Sequence, residues 1–275
     1  MKLLFLSCLA FLSLEAFSQS YMIMDNGIIL TTDNNGFIYD LGHFTYPEQV
    51  GLKGGNYFSE NNGVLVTIDE KGLLYRKYEV IPSELQGKGM NYFLGKTGEL
   101  FTIDKTGAVA ARTDLVYPGG IKNFGGNYFV LNSEFLQVVT VGDTGAVTTV
   151  SIDTLKTVDV VAFGGSYFMT NRGVVYTIAA NGTMASDAMT RVGILKKRGG
   201  NYFTDSSMSI YTVAQDGSIK VPAIPLTLSV ESISKLGSNY FLDNMGKLFI
   251  VDKDGEVFER SLTDHDFKTA RIISL

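Results

Sequence analysis

A five-residue phrase recurs along this chain at nearly equal intervals. Its clearest form is Gly-Gly-Asn-Tyr-Phe, at residues 125–129. The tyrosine of the phrase recurs 35 to 39 residues apart, at Tyr21, Tyr57, Tyr92, Tyr128, Tyr167, Tyr202 and Tyr240. A regular period in this range indicates one supersecondary unit copied along the chain. The spacing therefore predicts a repeat architecture of seven units.

The third repeat shows most clearly what one unit contains. Three β-prone runs, at residues 91–94, 100–103 and 108–111, are separated by glycine-containing turns. A weaker strand precedes each aromatic phrase, as at residues 121–124. Four short antiparallel strands form one propeller blade, and no segment has sustained helical periodicity. The sequence thus predicts an all-β, seven-bladed β-propeller, with an open β-solenoid as the architectural alternative.

A second glycine turn closes each unit. It has the form Asp-x-x-Gly in several repeats, and its glycines are Gly36, Gly72, Gly107, Gly145, Gly182, Gly217 and Gly255. An aspartate can accept hydrogen bonds from the amides of the turn, and glycine tolerates the positive φ at the turn exit. In the fourth repeat Gly142 replaces the aspartate, so glycine is the steadier requirement.

The two ends of the repeat region are complementary. The first aromatic phrase has no strand before it, whereas residues 270–275 resemble the strand that precedes the phrase in other repeats. We expect the C-terminal strand to join the N-terminal blade, which closes the ring and removes exposed sheet edges. Residues 19–275 are then a single domain.

Residues 93–109 carry the pattern on which a family resemblance rests. They contain Gly98-Glu99-Leu100-Phe101-Thr102-Ile103-Asp104 and a second turn at Gly107. This pattern resembles the blades of tachylectin-type lectins, and Ile103 to Gly107 is similar to the Ile-Asp-Lys-Thr-Gly of WG-type repeats. The resemblance implies a propeller. The chain has no tryptophan, and no binding residue of either family has a counterpart here.

The first residues have the features of a secretory signal. Lys2 precedes an apolar run at residues 3–14, and small residues favour cleavage after Ser18, with Ser20 as the alternative. We therefore expect residues 1–18 to be removed and the protein to be periplasmic or secreted. Cys8 is the only cysteine; a lipoprotein anchored there is the less favoured interpretation. The mature chain then lacks any thiol for disulfides or metal binding.

Charge and hydropathy narrow the range of partners. The net charge is −5, and the longest basic cluster is the three residues Lys196, Lys197 and Arg198. This mild acidity argues against a nucleic-acid partner. No later segment is long and apolar enough for a transmembrane helix. We expect a soluble monomer whose partner is a protein or a glycan.

The repeated polar and aromatic residues have a functional and a structural interpretation. The tyrosines could stack on carbohydrate, but packing between blades is favoured. An asparagine precedes most of them, at Asn56, Asn91, Asn127, Asn201 and Asn239, and Ser20 and Ser166 take its place in the other two repeats. These asparagines could bind a ligand near the axis, or satisfy backbone groups beside the glycines. The second interpretation is favoured.

Other chemistry has weaker support. His43 and His265 are the only histidines, and Asp264 and Asp266 flank the second. They could form a metal or acid–base pair, although exposed loop positions are favoured. The Asp-x-x-Gly turns lack the ligands of an EF-hand loop. No nucleophile elbow, zinc helix or phosphate loop is found. We expect no metal, no cofactor and no catalytic residues.

These observations favour an exported, non-enzymatic binding or scaffold module. A protein partner is the first hypothesis, a glycan-binding lectin with repeated sites is the second, and an enzyme with one site at the channel mouth is the third. Irregular segments at residues 132–137, 185–190, 196–198 and 222–225 break the symmetry. If one site is special, the sequence predicts it on the face that carries them.

Overall fold

The structure is a computed structural model. It describes residues 21–23, 28–43, 50–60, 62–77, 85–117, 120–191, 194–225, 228–260, 268–269 and 272–274. In these ranges there are 28 β-strands and two 3-10 helices, at Thr157–Asp159 and Val230–Ser232. The strands form seven small sheets arranged as a ring, which confirms the predicted seven-bladed propeller. The proposed signal, residues 1–18, lies outside the described residues.

The strands follow the repeats in chain order. The first repeat contains β1 (Tyr21–Ile23), β2 (Ile28–Thr32) and β3 (Ile38–His43). The second contains β4 (Val50–Lys53), β5 (Tyr57–Glu60), β6 (Leu65–Ile68) and β7 (Leu74–Lys77). The third contains β8 (Leu85–Lys88), β9 (Tyr92–Gly95), β10 (Glu99–Ile103) and β11 (Val109–Val116), and the fourth β12 (Ile121–Phe124), β13 (Tyr128–Leu131), β14 (Phe135–Val141) and β15 (Val147–Lys156).

The remaining repeats follow the same plan. The fifth contains β16 (Val160–Phe163), β17 (Tyr167–Thr170), β18 (Val174–Ile178) and β19 (Met184–Arg191), and the sixth β20 (Tyr202–Thr204), β21 (Ile210–Val213) and β22 (Ile219–Lys220). The seventh contains β23 (Ile233–Leu236), β24 (Tyr240–Asp243), β25 (Leu248–Val251) and β26 (Val257–Arg260), followed by β27 (Lys268–Thr269) and β28 (Ile272–Ser274). Within each repeat, neighbouring strands pair antiparallel in chain order. In the sixth repeat a single bridge, Arg198 to Phe203, replaces the first strand.

Burial decreases from the middle of each blade to its outer edge. All four residues of β9 are buried, whereas β11 alternates between half-buried and exposed positions. The aromatic strand of each repeat (β1, β5, β9, β13, β17, β20 and β24) is therefore apolar on consecutive residues, because blades cover it on both faces. The strands that follow the turn glycines, such as β11, are less buried and form the outer edge of the blade.

The first glycine of the repeated phrase supports the tyrosine three residues later. Its amide donates to the tyrosine carbonyl over 2.8 to 2.9 Å in the six repeats described there. The tyrosine ring then lies against the glycine Cα. A Cβ placed on Gly54, Gly89, Gly125, Gly164, Gly199 or Gly237 would lie 2.1 to 2.3 Å from that ring. No other residue type fits, which explains why the glycine recurs.

The phenylalanine of the phrase joins neighbouring blades. In six junctions it packs against the tyrosine of the preceding repeat, with ring centroids 4.7 to 5.7 Å apart. At the seventh junction Met22 takes this place and belongs to the same apolar cluster as Tyr240. Tilted aromatic pairs of this kind stabilise beyond their buried area. Each blade is thus fixed to the next by the same pair of positions.

Two rings of hydrogen bonds close the propeller. Each of the seven tyrosine hydroxyls donates to the carbonyl of the tyrosine in the next repeat over 2.7 to 3.4 Å, and Tyr240 donates to Tyr21. The turns that precede the last antiparallel strand of each repeat form a second ring of backbone bonds. There, each amide donates to the carbonyl of the next turn over 2.6 to 3.5 Å, and Lys253 donates to Asn34. Closure therefore does not depend on a shared strand alone.

A C-terminal segment joins the N-terminal blade, but it is β27 and not the strand expected at residues 270–275, and it lies at the other edge from the one expected. β27 pairs parallel with β3, on the outside of the first sheet, and not beside β1. β28 pairs parallel with β7 of the second sheet, which makes that sheet five-stranded. An outer strand presents unpaired backbone groups along its edge, and these two short strands cover them.

We predict that Gly125→Ala destabilises the fold by about 3 kcal/mol, because its Cβ would overlap the buried Tyr128 ring. Gly120→Ala is the matched control, since a Cβ at Gly120 meets no atom within 4 Å. We expect it to change stability by less than about 0.5 kcal/mol. Urea unfolding followed by circular dichroism measures both values. Equal stability of the two variants would contradict the close packing of glycine and tyrosine.

Candidate functional site

The centre of the ring encloses a cavity of about 200 Å³ whose wall includes residues from all seven repeats. At one end it is bounded by the turns that precede the last antiparallel strand of each repeat, which we call the mouth turns: residues 33–36, 69–72, 104–107, 142–145, 179–182, 214–217 and 252–255. The wall also includes the buried side chains of Ile68, Ile103, Ile178, Val213 and Val251, together with the repeated asparagines. The cavity is therefore largely apolar, with polar groups at repeated positions.

The mouth turns have the geometry that their sequences predict. The seven turn glycines have φ between 75° and 86°. In four turns the leading aspartate accepts two backbone N–H bonds, so that Asp33, Asp69, Asp104 and Asp252 hold the turn with one carboxylate oxygen. Where the aspartate is replaced by alanine, Asn181 or Asp216 accepts one such bond instead. Turn formation accounts for these side chains without a bound cation.

The repeated tyrosines are not available to a ligand. All seven are at most 1% exposed, and their hydroxyls bind the next blade. Burial raises the pKa of each hydroxyl above its ordinary value, so the groups stay protonated and act as donors. Their role in the described structure is to join blades.

The repeated asparagines meet around the cavity. Asn56, Asn91, Asn127, Asn201 and Asn239 all contribute to its wall, together with Ser166. The Nδ2 group of Asn91 donates to the Val141 and Gly142 carbonyls over 3.1 and 3.3 Å, and that of Asn127 bonds in the same way to the fifth repeat. Asn91 and Asn127 thus satisfy backbone groups of the next blade and also contribute to the cavity wall.

Met90 breaks the symmetry at the axis. It occupies the second glycine position of the phrase, where Gly55, Gly126, Gly165 and Gly200 stand in other repeats. Its sulfur lies 3.8 Å from the hydroxyl of Ser238, in the seventh repeat. Since the third and seventh repeats are not neighbours, the side chain crosses the ring and obstructs its axis.

The side chains at the second position of each mouth turn differ between repeats. The backbone at these positions forms the closed ring of hydrogen bonds, and the residues are Asn34, Glu70, Lys105, Asp143, Ala180, Gln215 and Lys253. Five of them are exposed, and Asp143 and Ala180 are half-buried. Sequence reasoning treated them as turn residues and missed them. The sequence feature that could have identified them is a position that recurs in every repeat but carries a different side chain in most of them, in contrast to the repeated glycines.

Among the side chains that the structure describes, those of the irregular segments are not part of this wall: none at residues 132–137, 185–186, 196–198 or 222–225 contacts the cavity. Lys197 instead donates to the carbonyls of Glu231 and Ile233, which ties the sixth blade to the seventh. Desolvation lowers the pKa of this ammonium group.

The two histidines are not brought together by what the structure describes. His43 ends β3 and pairs through its backbone with Ile28, and His265 lies outside the described residues. The predicted pair therefore stays a prediction. In the described part of the chain, no three histidine, cysteine, aspartate or glutamate side chains group as metal ligands do.

No described helix has the length and apolar character needed to cross a membrane.

Comparisons with known proteins find similarity at the level of structure only. No protein-family model matches the chain, and no curated protein matches it. A catalytically inactive H270A virginiamycin B lyase from Staphylococcus aureus, solved with quinupristin, is 14% identical, with a TM-score of 0.32 over 91% of this chain and 89% of that one. YCF48 bound to D1 peptide is 13% identical, with a TM-score of 0.28 over 90% and 94%. Neither similarity bears on function.

We predict that stability falls steeply above about pH 10, the ordinary pKa of a tyrosine hydroxyl. The seven tyrosines ionise in that range when the chain is unfolded, whereas burial raises their pKa and keeps them protonated in the folded ring. Protons are therefore released on unfolding, and rising pH favours the unfolded state; below the unfolded pKa the contribution is fully present. Each tyrosine adds up to about 1.4 kcal/mol per pH unit to the slope.

Urea unfolding from about pH 8 to about pH 11, with tyrosinate absorbance recorded in parallel, measures this slope. Tyr128→Phe is expected to reduce the slope by one tyrosine's share. It should also cost about 1 kcal/mol at neutral pH, because it removes the donor to the Tyr167 carbonyl. Ionisation of all tyrosines at their ordinary pKa in a protein that stays folded would contradict the ring of buried hydroxyls.

Proposed function

We propose that this protein is a non-enzymatic binding scaffold and that its mouth turns recognise a protein partner. The observation that carries the proposal is the contrast between a repeated backbone and unrepeated side chains. Seven turns are held in one ring by identical bonds, yet they present an irregular series of acidic, basic, amide and small groups. A rigid frame with a varied surface suits an irregular partner surface.

The charges at the mouth support recognition by electrostatic complementarity. Glu70 and Lys105 lie side by side, with 3.9 Å between Oε2 and Nζ, and both side chains are more than one-third exposed. Exposed pairs of this kind contribute little to folding, so their charges are available to a partner at low cost to stability. Opposite charges in a fixed order favour one orientation of a bound protein.

A glycan-binding lectin with repeated sites is the second candidate. The repeated tyrosines were its main support, and their burial leaves them unable to stack on a sugar ring. Seven equivalent sites would also require similar side chains at equivalent exposed positions, whereas the mouth positions differ. An enzyme with one site at the channel mouth is the third candidate, and no observation in the described structure favours it.

We predict that Glu70→Lys lowers the affinity for the protein partner about tenfold, because it reverses one charge within the mouth ring. The partner is first identified by photo-crosslinking from an analogue placed at Gln215, then purified, and its Kd is measured by calorimetry. Glu134→Lys is the matched control, since it also breaks one exposed ion pair, that with Lys156, but away from the mouth. The control is expected to change the Kd less than about twofold.

Two results would count against the proposal. One is a partner that binds equally to the Glu70→Lys variant and to the wild type. The other is a glycan array on which the wild type binds one sugar at several equivalent weak sites, which would favour the lectin. Binding that depends on Glu70 but not on Glu134 supports a protein-recognition surface at the mouth.

We also propose that the scaffold acts outside the cytoplasm, in the periplasm or the exterior. The support is the signal-like composition of residues 1–18. We predict that the mature protein from the cell envelope or medium begins at Gln19, as measured by intact mass. A chain that retains residues 1–18 would contradict this, and a lipid-modified N-terminus at Cys8 would favour the lipoprotein alternative.

A further inference from the structure

The outer strand of the fourth blade has an edge to which no described strand pairs. β15 is 10 residues long and pairs with β14 on one side only, so it ends its sheet. The first two blades differ, because β27 and β28 add to their outer strands β3 and β7. Outer strands of this propeller therefore accept a further strand, and β15, the longest of those described, is open.

β15 also lacks the charge found on the other outer strands. A charged residue on an edge strand disfavours pairing with another chain, because pairing removes the charge from water. The ladder of β15 that pairs regularly with β14, residues 147–152, contains no charged residue. Each of the other outer strands has at least one in its ladder, and examples in chain order are Asp40, Arg76, Arg112, Asp187, Lys220 and Glu259.

The composition of residues 147–152 favours pairing with a further strand. Five of these six residues, Val-Thr-Thr-Val-Ser-Ile, are β-branched, and none is proline or glycine. Thr148, Thr149 and Ser151 are exposed, so this side of the blade is open to solvent. An exposed, uncharged edge of high β-propensity is a template for a strand of another chain.

The hydrogen bonds of β14 determine which backbone groups of β15 face the open edge. The Gly142 amide donates to the Ala146 carbonyl on the β15 side, and the Val141 amide donates to the Asn127 carbonyl on the β13 side, each over 2.8 Å. Bonding directions alternate along an antiparallel strand, so every second residue after Ala146 bonds to β14. The N–H and C=O groups that point outwards are those of Val147, Thr149 and Ser151.

A second copy of β15 is complementary to this edge. A strand pairs with its own copy antiparallel about a twofold axis, with outward-facing residues opposite one another. An axis at Thr149 meets this condition, because it places Thr149 opposite its own copy and Val147 opposite Ser151. The three pairs form about six backbone hydrogen bonds, two for each pair. No charged residue lies within them.

Side chains add to the backbone bonds of this pairing. Val147, Val150 and Ile152 are half-buried in the single chain, and a second strand beside them covers more of their apolar surface. The two copies of Thr149 lie opposite each other, and such Thr–Thr pairs stabilise antiparallel sheets. The net charge of −5 on each copy opposes association, but salt screens this repulsion. One pair of strands is a small interface, so the Kd is expected to be weaker than about 1 μM.

We propose that this protein forms a homodimer in which the β15 strands of two copies pair antiparallel about a twofold axis at Thr149. The two four-stranded sheets of the fourth blades then become one continuous sheet. This inference does not depend on the function proposed above, because a strand edge makes the contact and the side chains of the mouth turns do not.

The first experiment measures the sedimentation coefficient of the mature protein at concentrations from about 1 μM to about 1 mM. We expect a reversible equilibrium between monomer and dimer. A monomer over the whole range, which is the state expected from the sequence, would overturn the inference. Growth beyond a dimer would also overturn it, since a twofold contact closes after two copies.

The second experiment blocks the edge with proline. Thr149→Pro removes an outward-facing N–H and leaves the bonds to β14 intact, which is why edge strands tolerate proline. We expect the dimer Kd to weaken about tenfold or more. Ala111→Pro is the matched control, since Ala111 is exposed and faces outwards from β11 in the same way. Equal effects of the two variants, or an unchanged Kd for Thr149→Pro, would overturn the inference.

A charged variant keeps the test decisive if Thr149→Pro does not fold. Thr149→Lys places two ammonium groups opposite each other at the axis, and like charges in this position destabilise a strand pair. We expect a weaker dimer that partly recovers in high salt, because salt screens the repulsion. Circular dichroism establishes that the variant is folded. A folded lysine variant with the Kd of the wild type would overturn the inference.

The third experiment tests the position of the axis. Cys8 is the only cysteine and lies in the segment proposed to be removed, so Thr149→Cys gives the mature chain a single thiol. Cα atoms of a hydrogen-bonded antiparallel pair are about 5.5 Å apart, which suits a disulfide. We expect oxidation with copper phenanthroline to yield a covalent dimer of this variant and not of Ala111→Cys.

Equal crosslinking of the two cysteine variants, or none in either, would overturn the proposed axis. Crosslinking of Thr149→Cys to a different protein, with no dimer formed, would overturn the assignment of a second copy as the occupant. All of these measurements are made without the partner of the mouth turns, so this inference and the proposed function can fail separately.

Discussion

The contact of the repeated tyrosine with glycine and with the next blade is the interaction on which the rest of this propeller depends. The ring of the tyrosine lies on the first glycine of its own phrase, and its hydroxyl binds the carbonyl of the next tyrosine. One side chain therefore fixes both the turn that starts its strand and the position of the neighbouring blade. The seven hydroxyl bonds close on themselves, so loss of any one of them weakens the junction with the next blade and interrupts the ring.

This packing also explains how a symmetric frame carries an asymmetric surface. The glycine, tyrosine and phenylalanine positions tolerate little change, since each is surrounded by buried groups. The second residue of each mouth turn contributes only its backbone to the ring, so its side chain is not held by the packing constraint. Variation is accordingly concentrated where it does not affect closure, and there it can define a binding surface.

Much of the fold could be predicted from the sequence because the determining contacts are local and recur at fixed offsets. The glycine three residues before the tyrosine and the aspartate before the turn glycine are examples.

What could not be predicted depends on residues that meet only across the ring. In the sequence, Met90 is an exception at a position where other repeats have glycine. Only the closed ring places its sulfur beside Ser238. The sequence likewise does not show with which strands the C-terminal segments pair, because the outer strands of several blades offer similar backbone edges. The sequence left open whether the asparagines bind a ligand near the axis or satisfy backbone groups, and the carbonyls to which Asn91 and Asn127 donate belong to the next blade.

The ring of mouth-turn amides has an electrostatic consequence. In an α-helix the aligned peptide dipoles sum along the axis and leave partial charges at two ends, and the positive end attracts anions. Here every amide donates in the same rotational sense to the next repeat, and the last donates to the first. Dipoles arranged head to tail around a closed circle cancel, so the backbone ring has no pole. This ring of backbone bonds therefore adds no net dipole at the mouth, and the charged side chains of the turns are the larger source of the field there.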